Sequence, residues 1–210
     1  MVDTRQAYNN WSEQYESNLN RTRDLEAIAC RELLASIAPK HALEIGCGTG
    51  KNTLWLAGRA EKLTAVDLSE EMLARAREKM KSAANVEFIQ GDITRTWPFL
   101  HASFDLVSFS LVLEHLESLE AVFENAASAL LPGGYLYLGE LPPFKQYSGS
   151  KARYETAEGV QVLTCFTHHL SDFTEAGRRH GLRPLIIREY FDENNRESLP
   201  RILALLFQKA

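Results

Sequence analysis

Three glycines, Gly46, Gly48 and Gly50, stand close together directly after the short apolar run 42–45. A glycine cluster in this position lets the backbone approach a bound nucleotide closely, and the surrounding residues then decide which nucleotide fits. A dinucleotide turn has the form G-x-G-x-x-G, in which the third glycine packs a helix against the strand behind a pyrophosphate. Lys51 occupies that third position here, so the observed pattern is G-x-G-x-G.

Carboxylates at the ends of consecutive apolar runs indicate the chemistry of the ligand. Glu44 precedes the glycines, where an acid suits a cationic ligand better than a pyrophosphate. Asp67 lies 21 residues past Gly46, where a carboxylate can accept hydrogen bonds from both ribose hydroxyls. Asp92, which follows the next apolar run, could accept from the exocyclic amine of adenine. The three acids favour an adenosyl sulfonium over a dinucleotide.

Strands that alternate with helices would bring these residues to one edge of a sheet. The hydrophobic spacing predicts strands over 41–45, 63–66, 86–90, 104–110 and 135–140, and helices over 25–38, 51–60, 69–81 and 119–130. This alternation predicts an α/β, Rossmann-like doubly wound sheet, whose ligand lies beyond the carboxyl ends of the strands. Those ends carry the glycines, Asp67, Asp92, Ser110 and Glu140.

The last third of the chain departs from this alternation. The runs 153–155 and 160–166 flank a short polar turn and predict a hairpin, and 170–180 predicts a helix. Two β-rich runs, 183–191 and 202–208, then follow each other with no helix between them. They predict an antiparallel pair at one edge of the sheet.

Length and composition limit the class of protein. A chain of 210 residues, 45% hydrophobic and 24% charged, is expected to form one domain over residues 1–210. Its formal net charge of -5 argues against a large nucleic-acid surface, which needs clustered basic residues. No run is long enough to span a bilayer, and the polar N-terminus lacks a signal-peptide core. Three scattered cysteines argue against disulfides or a zinc site, so we expect a cytoplasmic protein without a metal.

The ordered motifs resemble those of a known family. LEIGCGTG, VDLS, QGDI, FDLVSFSLVLEHL and LLPGGYLYLGE are similar to the motif series of the class I S-adenosylmethionine-dependent methyltransferases, in particular the small-molecule group of type 11 or 25. The motifs span roughly residues 5–140. The resemblance implies a seven-stranded sheet of order 3-2-1-4-5-7-6 with the seventh strand antiparallel. It also implies an N-terminal helical lid over 1–24 and a substrate-side insertion over 141–168.

The family pattern assigns S-adenosylmethionine as the cofactor and S-adenosylhomocysteine as its product. Asp67 is implied to bind the ribose and Ser110 to line the floor near the sulfonium. The other implied contacts fall into four groups: Glu44, Gly46, Cys47, Gly48 and Gly50 around the methionine part; Leu68 and Met72 flanking the adenine; Asp92 and Ile93 at its edge; and Tyr8, Trp11 and Tyr15 in a covering segment. Helical spacing equally predicts that the last three simply pack an amphipathic helix onto the domain.

Methyl transfer requires alignment of the acceptor with the methyl group, and a base only where the acceptor must lose a proton. His115, just after the fourth predicted strand, is the candidate base, and a solvated histidine is the alternative. Glu140, Tyr147 and His168 are candidate acceptor contacts, although His168 could merely help to start a helix. The LPPF stretch 141–144 resembles the [DN]PP[YFW] element of adenine-directed enzymes, but its leucine cannot bond an amine, so we predict a rigid strand exit.

The predicted function is therefore methyl transfer to a small molecule by a monomer or homodimer. One alternative is a methyltransferase that acts on protein or tRNA, and another is a nicotinamide-dependent oxidoreductase, against which Lys51 counts. A non-catalytic nucleotide binder that keeps the fold is a third. The acceptor, and whether its O, N or C atom is methylated, is not encoded in any of these motifs.

Overall fold

A computed structural model describes residues 3–15, 19–95, 97, 104–156 and 159–210. The strands are β1 (His41–Ile45), β2 (Lys62–Asp67), β3 (Val86–Gln90), β4 (Phe104–Ser110), β5 (Leu130–Glu140), β6 (Arg153–Thr156), β7 (Gly159–Val162), β8 (Leu182–Tyr190) and β9 (Ile202–Lys209). The helices are α1 (Thr4–Trp11), α2 (Arg21–Leu33), α3 (Lys51–Ala57), α4 (Glu70–Lys79), α5 (Glu120–Ala129), α6 (Pro143–Tyr147) and α7 (Leu170–Arg179). Short 3₁₀ turns cover Leu113–His115 and Asp192–Asn194.

Seven of the strands form one sheet in the order β3-β2-β1-β4-β5-β9-β8. The first five are parallel, whereas β9 runs antiparallel to both β5 and β8. The expected order and the antiparallel last strand are thus confirmed. Because β1 and β4 are central neighbours whose chains leave in opposite directions, a crevice opens beyond their carboxyl ends, where such folds bind ligands.

Both faces of the sheet are buried along its inner strands, which explains why strands such as β1, β4 and β9 are nearly continuously apolar. On one face Ile45, Phe109 and Leu138 pack into the core beneath α5 and α7, all at 1% exposure or less. On the other face Ala42 and Leu106 pack beneath α2 and α3. The sheet is therefore fixed between two helical layers, and its strand ends form a firm base for a site.

Local capping explains where several helices begin. Ser69 caps α4 by accepting from the backbone N–H of Met72 at 3.2 Å. Asn20 likewise accepts from the N–H of Arg23, so α2 starts at Arg21, four residues before the predicted start. The expected helix over 51–60 ends at Ala57, because Gly58 follows as its C-cap. Pro143 opens the short helix α6 directly after the strand exit predicted from the LPPF stretch.

Boundaries also differ around the fifth strand and the hairpin. β5 begins at Leu130, five residues before the predicted start, because Leu130 already pairs with Phe104 across a register shift. The predicted hairpin is present as β6 and β7, but β7 ends at Val162. The following segment, 163–169, has no regular structure and runs beside the 3₁₀ turn Leu113–His115.

The N-terminal helix and the hairpin pack on each other. Trp11 of α1 stacks on Tyr154 of β6 at 5.5 Å between ring centroids, and Ala7 and Leu163 complete this small buried cluster. Asn9 ties α1 to α4 by accepting from the Ser69 hydroxyl at 2.6 Å. Residues 1, 2 and 16–18 of the expected lid, and 157 and 158 of the expected insertion, lie outside the described residues. The single-domain assignment over 1–210 stays a prediction.

Candidate active site

A cavity of about 280 Å³ lies at the carboxyl ends of β1, β2 and β4, beneath α1. Eleven residues predicted from the sequence line it: Tyr8, Tyr15, Gly46, Gly48, Asp67, Leu68, Met72, Asp92, Ile93, Ser110 and His115. The parallel strands bring these distant positions together because all their carboxyl ends meet at one edge. The cavity is therefore the candidate site.

The glycine turn forms one wall of the cavity through backbone that other residues adopt only under strain. Gly46, Gly48 and Gly50 have φ of 72°, 53° and 84°. A Cβ at Gly46 would lie 2.2 Å from Cγ2 of Val112, so this glycine also permits a close contact. Gly50 does not line the cavity; it starts α3 and abuts Ala76 of α4. The three glycines thus serve different purposes.

Asp67 connects the glycine turn to α4. Its Oδ2 accepts from the N–H of Gly48 at 2.8 Å, and its Oδ1 accepts from the N–H of Ser69 at 2.9 Å. Burial raises the pKa of this carboxyl above its usual value, against the lowering effect of these backbone donors. Each oxygen of an ionised carboxylate can accept a further bond, which leaves capacity for two ligand hydroxyls.

Asp92 and Ile93 line the cavity at the end of β3. The Oδ1 atom of Asp92 accepts from the N–H of Thr94 at 3.0 Å and from its hydroxyl at 2.6 Å, as expected of a turn-forming aspartate. Desolvation raises the pKa of this carboxyl, but hydrogen bonds from Thr94 and Arg95 outweigh it, so the pKa is lower than that of a free aspartate. Asp92 therefore remains an ionised acceptor that both shapes its turn and faces the cavity.

Tyr8 and His115 meet at the cavity. The Tyr8 hydroxyl lies 2.8 Å from Nε2 of His115, and Nδ1 lies 3.4 Å from the carbonyl oxygen of Thr164. Because a carbonyl only accepts, Nδ1 carries a hydrogen, and in the neutral ring Nε2 accepts from Tyr8. Burial lowers the pKa of His115 and raises that of Tyr8. The imidazole is thus neutral near pH 7, with Nε2 as its basic atom.

Tyr15 and Trp11, which were grouped with Tyr8, have different surroundings. Tyr15 lines the cavity beside Gly48, and the guanidinium of Arg23 lies 5.3 Å from the centre of its ring. Burial raises the pKa of the Tyr15 hydroxyl to about 12. Trp11 lies in the cluster with Tyr154 rather than on the cavity, and its indole nitrogen finds no partner within the described residues. Trp11 therefore lies where we expect it if α1 is an amphipathic helix that packs on the domain.

Glu44 and Cys47 lie behind the cavity wall. Glu44 is 3% exposed, and burial raises the pKa of its carboxyl to about 8. Glu26 of α2 is buried on the same face of the sheet, where Asn52 links it to Ser110 through bonds of 2.8 and 3.2 Å. Cys47 packs its buried thiol on Ala65, and burial raises the thiol pKa, which leaves it unreactive.

None of the predicted acceptor contacts lines the cavity. Glu140 and His168 are buried beside the 111–116 segment and bond to its backbone. Tyr147 is 60% exposed and places its hydroxyl 2.5 Å from Nδ1 of His169. Among the described residues, no cluster of three or more His, Cys, Asp or Glu side chains could hold a metal ion. Within the same residues, no helix has the length and apolar character to cross a membrane.

Several cavity residues were not identified from the sequence. Leu111, Val112 and Leu116 line the side next to His115, and Asp3 and Thr4 line the side formed by the start of α1. Leu111 and Val112 directly follow a predicted strand end, and Leu116 lies six residues after it, which is a usable signal. Their apolar side chains carry no chemical signature, so spacing alone could not distinguish them from core residues.

Comparison with known proteins shows what the central part of the chain is similar to. Residues 43–138 match the family model described as a methyltransferase domain. Trans-aconitate 2-methyltransferase of Paracidovorax citrulli is 32% identical over 142 residues, 65% of this chain and 53% of that protein. An uncharacterized methyltransferase of Emericella nidulans, AN0656, is 25% identical over the whole chain and 86% of its own length. The chain spans about half the length of several curated relatives it matches.

Solved structures extend the similarity to the whole fold. A structure described as a DhpI-SAM-HEP complex has a TM-score of 0.77 at 23% identity and covers all of both chains. The N-methyltransferase NodS of Bradyrhizobium japonicum, in complex with S-adenosylhomocysteine, has a TM-score of 0.75 at 20% identity over 99% of each chain. Residues 43–138 thus match a methyltransferase domain, and the whole chain, with its confirmed strand order, shares the fold of solved S-adenosylmethionine-dependent methyltransferases such as NodS.

Proposed function

We propose that this protein binds S-adenosylmethionine in the cavity and transfers its methyl group to a small-molecule acceptor by in-line displacement. The main support for this proposal is the negative charge of the cavity. Asp3, Asp67 and Asp92 line it, and no lysine or arginine does within the described residues. Such a site suits a cationic sulfonium and ammonium, and it disfavours the anionic pyrophosphate of a dinucleotide.

The residues present fit the parts of this cofactor. Asp67 has acceptor capacity for the ribose hydroxyls, and Asp92 and Ile93 border the place of the adenine edge. Met72 and Leu68 offer apolar surface for the adenine, and the backbone at Gly48, where the nearest atom to an added Cβ lies 4.0 Å away, leaves room for the amino-acid part. The cofactor supplies a methyl group already activated on sulfur. The protein's contribution is therefore to position the acceptor and to exclude water.

The cover formed by α1 supports a small acceptor. Tyr8 and Tyr15 close one side of the cavity, and a covered cavity disfavours a macromolecular acceptor. Relatives whose names specify small acceptors, trans-aconitate and demethylmenaquinone, point the same way. A net charge of -5 argues against the extended basic surface that a tRNA substrate requires.

Calorimetry with three ligands tests the cofactor assignment. We expect S-adenosylmethionine and S-adenosylhomocysteine to bind with 1:1 stoichiometry, and NAD⁺ to show no measurable heat at the same concentrations. The reason is the excess of carboxylates around the cavity, which repels a pyrophosphate. Equal binding of NAD⁺, or no binding of S-adenosylmethionine, would contradict the proposal. A screen of hydroxyl, amine and carboxylate acceptors, monitored through S-adenosylhomocysteine release, then identifies the accepting atom.

For an acceptor that must lose a proton, replacing His115 with alanine should lower kcat by ~10²–10⁴-fold, because the neutral Nε2 is the base nearest the cavity. The affinity for S-adenosylhomocysteine should stay unchanged. Since the pKa of His115 is lowered, wild-type turnover should persist at pH 6.5 and be lost only as pH falls further, when Nε2 becomes protonated. Steady-state rates between pH 5 and 9 measure both effects.

His180→Ala is the matched control for this variant. His180 lies at the end of α7, where Nε2 is 3.0 Å from Oε1 of Glu120, remote from the cavity. Its replacement should leave both turnover and the pH profile as in the wild type. Wild-type turnover by His115→Ala with a hydroxyl or ammonium acceptor would remove the base assignment and leave the cofactor assignment intact.

A further inference from the structure

The segment 111–116 carries four of the cavity residues and leaves β4 through a strained turn. Leu111 has a φ of 58°, an uncommon value for a leucine, and its N–H donates to the carbonyl of Gly139 at 2.8 Å. The chain then turns so that Val112, His115 and Leu116 face the cavity. A leucine keeps a left-handed backbone conformation only where surrounding contacts hold it there. The hydrogen bonds around this segment therefore show what fixes its conformation.

Glu140 binds the N–H groups of this turn. Its Oε1 accepts from the backbone N–H of Val112 and from that of Leu113, each at 3.1 Å. The side chain is 2% exposed, and its Oε2 has no partner among the described residues. Two N–H groups at the start of a 3₁₀ turn have no partner within the turn itself, and a carboxylate oxygen satisfies both.

His168 binds the carbonyl groups of the same turn. Its Nε2 lies 3.1 Å from the carbonyl oxygen of Leu113 and 2.8 Å from that of Leu116. Because neither carbonyl can donate, Nε2 carries the hydrogen and shares it between them. The adjoining chain adds two contacts: the N–H of Phe166 donates to the carbonyl of Glu114 at 2.7 Å, and the Thr164 carbonyl accepts from His115.

We infer that Glu140 and His168 are positioning residues that hold the 111–116 turn from opposite sides, and thereby set His115 and Val112 against the cavity. Both side chains are buried and neither lines the cavity, so neither touches the acceptor. This assignment replaces the acceptor-binding role expected from their sequence positions. Its catalytic consequence rests on the proposed function, but its structural content does not, because the hydrogen bonds that hold the turn all lie within the chain.

Four variants in two pairs test the assignment. Glu140→Leu removes the acceptor, whereas Glu140→Gln keeps an oxygen in its place. His168→Leu removes the donor, whereas His168→Gln keeps an N–H at a similar reach. The readout is the imidazole ¹⁵N spectrum of the ligand-free protein, with the His115 signals assigned from His115→Gln. Both leucine variants should shift the His115 signals and lose the Nε2 pattern of an atom accepting from Tyr8. Both glutamine variants should retain it.

His41→Leu provides a control for loss of a partly buried histidine, since His41 lies at the amino end of β1 and contacts Thr64. It should leave the His115 signals unchanged. A folded leucine variant at position 140 or 168 with unchanged His115 signals would overturn the assignment. Failure to bind S-adenosylmethionine would instead contradict the proposed function and leave this spectroscopic result standing. With an acceptor in hand, the leucine variants should lose kcat by ~10²-fold, the effect of a misplacement of about 1 Å.

A pH titration gives a second test, which holds even if the leucine variants do not fold. Burial raises the pKa of Glu140 to about 8. As pH rises through that value the carboxylate becomes a stronger acceptor, so the amide signals of Val112 and Leu113 should move downfield together. Glu114, Glu26, His115 and His168 are the other titratable groups around it. Glu140→Gln should abolish the shared titration; its absence in the wild type, or its survival in this variant, would overturn the role of Glu140.

Discussion

Replacing Asp67 with alanine should lower the affinity for S-adenosylhomocysteine by ~10²–10⁴-fold. On the proposed ribose assignment the variant loses two charge-assisted hydrogen bonds, each worth about 1.5–3 kcal/mol. It also frees the N–H of Gly48, now held by Oδ2 at 2.8 Å, so part of the loss reflects a less ordered glycine turn. Calorimetry at pH 7.5 measures the change, and an unchanged dissociation constant would remove the ribose assignment.

Asp67→Asn separates the two contributions. The amide keeps one oxygen, which can continue to accept from Gly48 or Ser69, but it carries no charge for the ribose hydroxyls. We expect an intermediate loss of affinity. Asp105→Asn is the control at the opposite end of the sheet, where Oδ2 accepts from the N–H of His41 at 2.8 Å. It should leave the affinity as in the wild type.

The affinity should also depend on pH through Asp67. The carboxylate must be ionised to accept from both hydroxyls, and burial raises its pKa above the ordinary aspartate value. As pH falls through that raised pKa the ligand should dissociate, at a higher pH than an exposed aspartate would predict. Asp67→Asn should show no such transition, since an amide does not titrate.

Replacing Gly46 with alanine should destabilise the fold and abolish measurable cofactor binding. The backbone at φ 72° costs an alanine about 1–2 kcal/mol. A Cβ would also lie 2.2 Å from Cγ2 of Val112, and such overpacking costs about 1–3 kcal/mol more. The combined loss of about 2–5 kcal/mol in the free energy of unfolding is measurable by urea denaturation.

Gly48→Ala is a matched control because it has the same backbone problem without the collision. Its φ is 53°, and the nearest atom to its Cβ, in Tyr15, lies 4.0 Å away. It should lose only about 1–2 kcal/mol. Val112→Ala, which removes Cγ2, should restore part of the stability of Gly46→Ala. Equal losses for Gly46→Ala and Gly48→Ala, with no rescue, would show that the close approach of Val112 is unimportant.

Local patterns were sufficient for most of the fold. β1 and β3 have the predicted bounds, because each is a short apolar run bounded by clear turn signals. The early start of β5 at Leu130 was missed, because its pairing with Phe104 depends on a partner remote in sequence. The helix ends differ from the predicted ones for a related reason. Several polar residues near the start of α2 could act as its N-cap, and the sequence does not show that Asn20 does so.

Part of the candidate site, too, could be predicted from local patterns, and part could not. Asp67, Asp92, Gly46 and Gly48 could be predicted because each follows a strand, and parallel strand ends meet at one edge. His115 was also predicted beside this edge, but its bond to Tyr8 joins residues 107 positions apart and has no local signal. Whether each assigned side chain binds the cofactor or the acceptor stays a prediction.

By itself, then, the sequence predicted the alternation of strands and helices and the acids and glycines that point to S-adenosylmethionine, since these depend on periodicity and short-range spacing. The strand order was implied by the resemblance of the ordered motifs to a known family. Only the tertiary structure decided which polar side chains face the cavity. Glu140 and His168 have residue types suited to an acceptor site, yet both bond to the backbone of the 111–116 turn. A side chain's role depends on which buried donors and acceptors folding brings within about 3 Å of it, and spacing along the chain does not encode that distance.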